Sequence, residues 1–198
     1  DTGPGNMVID GIVQAVSGGK KLYDKNGALA RAGTAHSGLL AELLRHPYFR
    51  RRPPKSTGRE EFGEAFIQDF LQRAARLRLS AQDQVATATA LTVESMARAY
   101  RHFVCPRGRL DEILLTGGGS LNPVLREQLA HALAEVRVRT LEEIGFESQA
   151  LEALAFAVLA YASLHGMPSN VVGATGARRP VVLGKIVPGR NYHSTRLS

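Results

Sequence analysis

The chain is short of cysteine, aromatic residues and long apolar runs, and each shortage closes off a class of protein. Cys105 is the only cysteine among 198 residues, so no disulfide can form within the chain. That fits a reducing, cytoplasmic setting. One cysteine and six scattered histidines make no zinc-type cluster. Aromatic residues are 6% of the chain, too few to alternate with basic ones as a nucleic-acid stacking platform requires. No apolar run reaches membrane-spanning length, and no signal-peptide pattern opens the chain. Neither nucleic acid nor membrane is therefore expected as a partner. The first residue is not Met, and the chain is expected to be part of a larger protein. Three enzyme signatures are also missing: GxSxG, GxGxxG and GxxxxGK[ST].

What is present is an ordinary globular composition, 44% hydrophobic and 22% charged. The formal net charge is +7, with one cluster at Arg50-Arg51-Arg52 before Pro53-Pro54-Lys55. A solvated basic face accounts for this better than nucleic-acid binding does, and a basic excess also favours an anionic substrate.

Periodicity gives a helix-rich α/β reading. Helices are expected over residues 7–16, 37–45 and 60–78, the last carrying Phe62, Phe66 and Phe70 at i+4 spacing as core. Ser80 caps a long helix that stops before Pro106. A strand over 111–116 leads into Gly117-Gly118-Gly119. Asn122 and Pro123 then open a helix to about residue 135, and 136–140 alternates as a second strand. A further helix covers about 149–165, and 181–183 reads as a short strand or extended segment.

Two glycine-rich turns are the ligand-site candidates. Asp1-Thr2-Gly3-Pro4-Gly5-Asn6 places a carboxylate before a turn whose backbone N–H groups can converge on an anion, with a helix following. Gly117 to Gly119 end a strand at the edge where α/β sheets bind ligands. Each is equally readable as a structural turn. Asn122 fits a helix cap better than a ligand contact, and Glu152 fits a favourable charge in the first turns of its helix.

Taken in order, five segments resemble one family. They are Asp1 to Asp10, Pro54-Lys55-Ser56-Thr57-Gly58-Arg59-Glu60, Leu115 to Pro123, Leu151 to Ala157, and Ala174-Thr175-Gly176-Ala177 leading to Pro180-Val181-Val182-Leu183-Gly184. Together they resemble the anhydro-N-acetylmuramic acid kinases of bacterial peptidoglycan recycling, related to the hexokinase, actin and heat-shock ATPase superfamily. The resemblance implies the C-terminal domain of a two-domain kinase, with a short mixed sheet packed with helices, over residues 1–190, and a polar tail over 191–198. The N-terminal domain, with the triphosphate loop and the magnesium contacts, would lie outside this chain, which alone would be inactive.

The resemblance further implies ATP and Mg2+, an amino-sugar substrate and a homodimer. It makes Asp1 the general base and Glu152 a second carboxylate. It assigns Thr2, Gly3, Gly5 and Asn6 to the phosphate side, Gly117, Gly118 and Gly119 to the nucleoside, and Asn122 beside them. No metal ligand is assigned to the chain. The family often has lysine where this chain has Leu151, which removes one contact there. Two other readings stand beside this one: a different sugar or acetate kinase of the superfamily, and a non-catalytic nucleotide-binding or scaffold domain.

Overall fold

The computed structural model describes residues 1–187 and 189. The polar tail expected over 191–198 lies outside them. The chain divides into two compact units, Asp1–Ile144 and Gly145–Ser198.

The first unit opens with helix α1 (Met7–Val16), which buries Val8, Ile9, Ile12 and Val13. The short helices α2 (Ala28–Ala32) and α3 (Ser37–Leu43) follow. Asp24, itself buried, accepts hydrogen bonds from the Leu29 and Ala30 backbone at 2.8 and 3.0 Å and so caps the start of α2. His36 caps α3, its Nδ1 accepting from the Leu39 N–H.

The single helix expected over 60–78 is two: α4 (Arg59–Phe62) and α5 (Glu64–Arg76). Gly63 sits at the break with its Cα against the Arg59 carbonyl, where a Cβ would collide with backbone. Apolar periodicity runs through the break because both pieces face the same core. Phe62 and Phe70 are fully buried there.

Helix α6 (Ala81–Ala99) is the centre of the unit and packs against α1, α2, α3 and α7 (Pro123–Ala132). Ser80 caps it as expected, its Oγ accepting from the Asp83 N–H at 3.1 Å. Small side chains let neighbours approach from several sides. Thr87, Thr89, Thr92 and Ser95 are buried along with Val85, Ala88 and Leu91. Their hydroxyls are satisfied: Thr87 donates to Asp83 O at 2.6 Å and Thr89 to Val85 O at 2.9 Å. Beyond Ala99 the chain continues through a π turn over Tyr100–Val104.

Strand β1 (Glu112–Leu115) pairs in parallel with β2 (Arg137–Thr140), joined across by α7, with Glu112 opposite Arg137 and Leu115 opposite Thr140. The sheet expected to be mixed is therefore a parallel pair among the described residues. The strand–helix–strand connection accounts for it, since a crossover helix returns the chain in the same direction.

The second unit contains α8 (Ser148–Leu164) and α9 (Val172–Thr175). Residues 181–183, expected as a short strand or extended segment, form no strand. The Ser169 N–H donates to Val181 O at 3.1 Å, and Asn170 Oδ1 accepts from the Val181 N–H at 2.6 Å. Side-chain bonding to Asn170 thus takes the place of a ladder.

The first unit depends on an aromatic cluster around Phe62, whose ring lies 5.1–5.4 Å from those of Phe66, Phe49, Tyr48 and His46. Phe62→Ala should destabilise the protein by about 3–5 kcal/mol, the usual cost of emptying a buried aromatic site. A urea unfolding curve of the variant beside the parent checks this.

Candidate active site

The opening loop is fastened to α6 and to the segment at 55–57. Thr92 Oγ1 donates to Gly5 O at 2.6 Å. Gly3 lies against the Ser95 side chain, leaving no room for a Cβ, while Gly5 has φ +57° and nothing near its missing side chain. One glycine is needed for close approach and the other for backbone conformation.

Asp1 is held by three hydrogen bonds. Its backbone N donates to Lys55 O at 2.7 Å, its Oδ2 accepts from the Thr57 N–H at 2.8 Å, and its carbonyl accepts from Tyr48 Oη at 2.8 Å. Asp1 Oδ1 has no hydrogen bond among the described residues. Lys55 Nζ donates to Tyr48 O at 3.1 Å and stands 4.4 Å from the Tyr48 ring centroid. Burial, then the neighbouring Arg51, lowers the Lys55 pKa. The Thr57 hydroxyl is buried without a partner. Two segments 54 residues apart in the sequence thus form one structure around the Asp1 carboxylate.

Asn6 was expected on the phosphate side. Its Nδ2 donates to Asp10 Oδ2 at 2.7 Å, one turn into α1. Burial pushes the Asp10 carboxyl up to about 6; the Asn6 bond opposes that rise and the charge of Asp24 adds to it. Asn6 and Asp10 line a cavity of about 450 Å³ together with Gly118, Gly119 and Asn122. Ile9, Leu22, Tyr23, Leu121 and Leu125 give this cavity apolar walls, and Lys25 is its one cationic lining residue. A neutral, partly planar ligand suits such walls better than a polyphosphate does.

The triple glycine forms a tight turn. Gly117 has φ +78°, and Ser120 Oγ donates back to Gly117 O at 2.7 Å. A Cβ on Gly118 would stand 3.6 Å from Asn6 Nδ2, an ordinary contact, and one on Gly119 would stand 3.7 Å from Asn6 Cβ. Gly117 is therefore the glycine that the turn itself requires. Gly118 and Gly119 border the cavity beside Asn6. Asn122 Oδ1 accepts from the Val124 and Leu125 N–H groups at 3.0 and 3.3 Å, so it caps α7 while bordering the same cavity.

The expected site residues thus fall into groups. Asn6, Gly118, Gly119 and Asn122 share one cavity, which brings the two glycine turns together. Thr2 lines a different one, of about 980 Å³. Glu152 belongs to the second unit, exposed on α8, with no hydrogen bond or ion pair among the described residues. Asp10 was not singled out from the sequence; its i+4 spacing from Asn6 was the available signal. No group of three or more His, Cys, Asp or Glu suited to a metal occurs among the described residues. No helix among them is long and apolar enough to cross a membrane.

Residues 1–189 match the family model described as anhydro-N-acetylmuramic acid kinase. The chain is 46% identical over 186 residues to a protein of that name from Caldanaerobacter subterraneus subsp. tengcongensis, covering 94% of this chain and 47% of the relative. A Cyanothece sp. protein of the same name is also 46% identical, covering 94% and 48%. One from Clostridioides difficile is 41% identical, covering 95% and 48%. The chain spans about half the length of the curated relatives it matches.

Two expectations follow from the Asn6 cavity. Because the Asp10 pKa is raised on folding from 3.8 to about 6, the native state binds that proton more tightly than the unfolded chain. The resulting stabilisation is present below about pH 4 and is lost as pH rises through about 6. Asp10→Asn, which keeps the shape without the charge, should remove this fall and raise the melting temperature at pH 7.5; melting curves between pH 4 and 8 test it. Gly118→Val should leave the fold intact, since its Cβ has room, yet weaken nucleotide binding to the full-length protein. Calorimetric titration beside a melting curve separates the two effects, and unchanged affinity in a folded variant would reject the ligand role.

Proposed function

The chain belongs to the anhydro-N-acetylmuramic acid kinase family, and we propose that it is the C-terminal half of a kinase that opens the 1,6-anhydro bridge of its sugar and phosphorylates O6. The product is N-acetylmuramic acid 6-phosphate. The observation that carries this reading is the setting of Asp1: Oδ2 is fixed by the Thr57 N–H while Oδ1 is left free. A carboxylate held at one oxygen and open at the other is oriented to take a proton.

In the proposed reaction Asp1 Oδ1 accepts the proton of a water whose oxygen attacks the anomeric carbon. The bond from that carbon to O6 breaks, and O6 takes the γ-phosphoryl group of ATP, with ADP leaving. The proton then passes from Asp1 to solvent. Positioning and charge stabilisation are what the protein must add. The Asn6–Gly118–Gly119 cavity is assigned to the nucleoside, whose approach a side chain at Gly118 would obstruct. Gly3 and Gly5 serve by keeping the Asp1 loop against α6. Glu152 is assigned as a second carboxylate that orients water or sugar.

The triphosphate loop and the magnesium contacts are assigned to the other half of the protein, and the working form to a cytoplasmic homodimer. A closed two-domain cleft is needed to exclude water. The assay therefore uses the full-length protein.

Asp1→Asn keeps the hydrogen bond from Thr57 but cannot take the proton. It should lower kcat by roughly 10²-fold or more, with ATP affinity little changed. Near-normal kcat in a folded variant would remove Asp1 from the mechanism.

A further inference from the structure

Tyr48 joins the aromatic core to the Asp1 loop. It is fully buried and belongs to the short turn Pro47–Arg50. Its ring lies 5.4 Å from that of Phe62 and 6.1 Å from that of Phe49, nearly perpendicular to both. The Lys55 ammonium stands 4.4 Å from its centroid and the Arg51 guanidinium 5.5 Å from it. Its backbone is tied at both ends. The Tyr48 N–H donates to His46 Nδ1 at 3.4 Å, and the Tyr48 carbonyl accepts from Lys55 Nζ at 3.1 Å. A close-packed ring held in this way fixes the place of its hydroxyl.

That hydroxyl donates to the Asp1 carbonyl at 2.8 Å. Burial raises the phenol pKa, with Arg51 opposing and Glu61 and Glu60 adding to the rise, so the group keeps its proton and stays a donor. On the other sides of Asp1, its N donates to Lys55 O at 2.7 Å and its Oδ2 accepts from the Thr57 N–H at 2.8 Å. Lys55 also bonds the Tyr48 carbonyl, so Tyr48, Lys55 and Asp1 close a ring of hydrogen bonds. An aspartate carboxylate is only two rotatable bonds from its backbone. Holding the carbonyl at one end and Oδ2 at the other therefore sets where Oδ1 lies. Thr92 and Ser95 brace the loop further on, at Gly5 and Gly3, and do not hold the Asp1 carbonyl. Tyr48 borders neither the cavity of Asn6 nor that of Thr2.

We propose that Tyr48 is a positioning residue for the reaction, its hydroxyl orienting the Asp1 carboxylate without itself touching sugar or nucleotide. The inference rests on the reading of Asp1 as the general base. Proton transfer requires the free oxygen within hydrogen-bond reach of the water, and a misplacement of about 1 Å can cost roughly 10²-fold. A tyrosine that served the core alone would contribute stability and leave turnover untouched.

Tyr48→Phe keeps the ring, its aromatic neighbours and the two cations, and removes only the hydroxyl. The full-length enzyme is assayed with ATP and 1,6-anhydro-N-acetylmuramic acid, each variant being checked by melting. In Tyr48→Phe, kcat should fall roughly tenfold or more, while KM for either substrate moves less than about twofold. Phe62→Leu loosens the same aromatic cluster without touching Asp1; it should lower the melting temperature and leave kcat within about twofold. The double variant Asp1→Asn with Tyr48→Phe should match Asp1→Asn within about twofold, because the orienting bond then has no base to orient. Near-normal kcat in Tyr48→Phe beside a crippled Asp1→Asn overturns the inference and spares the reading of Asp1. Losses that multiply in the double variant, or a fall in kcat in Phe62→Leu as large as that in Tyr48→Phe, overturn it as well. So does a Tyr48→Phe protein that fails to fold, since the hydroxyl would then be a structural support. Near-normal kcat in Asp1→Asn sinks the general-base reading and the inference with it.

Discussion

The candidate site depends on how α6 is buried. Most helices of a globular unit hide one stripe and leave the rest in water. In α6 the buried positions between Val85 and Ala97 leave no broad polar face, and α1, α2, α3 and α7 pack around it. Alanine, threonine and serine make this possible, because small side chains let backbones approach and the hydroxyls can bond to the helix's own carbonyls. Two of these residues also do something the core does not need. Thr92 donates to the Gly5 carbonyl, and Ser95 occupies the space a side chain at Gly3 would take. The rigid helix thus becomes the support for the loop carrying Asp1.

That support divides the surroundings of the loop into two environments. On one side Asn6 and Asp10 meet the second glycine turn in a cavity with apolar walls and a single cationic lining residue. On the other side Thr2 meets a cavity bordered by arginines and a lysine. The contrast is electrostatic: one setting suits a neutral, flat ligand and the other an anion.

Much of the fold was legible in local patterns. The spacing of Val8, Ile9, Ile12 and Val13 marks α1; Ser80 and Asn122 mark helix starts by side-chain capping; and Gly117 marks the end of β1 through a conformation that glycine adopts freely. Other features were hidden. The break at Gly63 leaves the apolar period of residues 60–78 intact, because α4 and α5 turn the same faces to the core. The parallel pairing of β1 with β2, and the bonding of Val181 to Ser169 and Asn170, depend on partners the segments themselves do not name. Arg50 and Arg52 read as a solvated patch, since nothing in a run of charges reveals whether it lines a concavity.

The sequence by itself determined the helix-rich α/β class, the two glycine turns, and the family through ordered motifs spanning most of the chain. These are matters of short-range periodicity, backbone freedom and residue order, all of which survive in a linear string. Tertiary structure alone decided that the Asp1 loop bonds to residues 55–57, that Asn6 turns to Asp10 beside Gly118 and Gly119, and that scattered arginines share one cavity. Those arrangements bring together residues tens of positions apart, and their geometry is set by the packing of whole helices around α6 rather than by any neighbour in the chain.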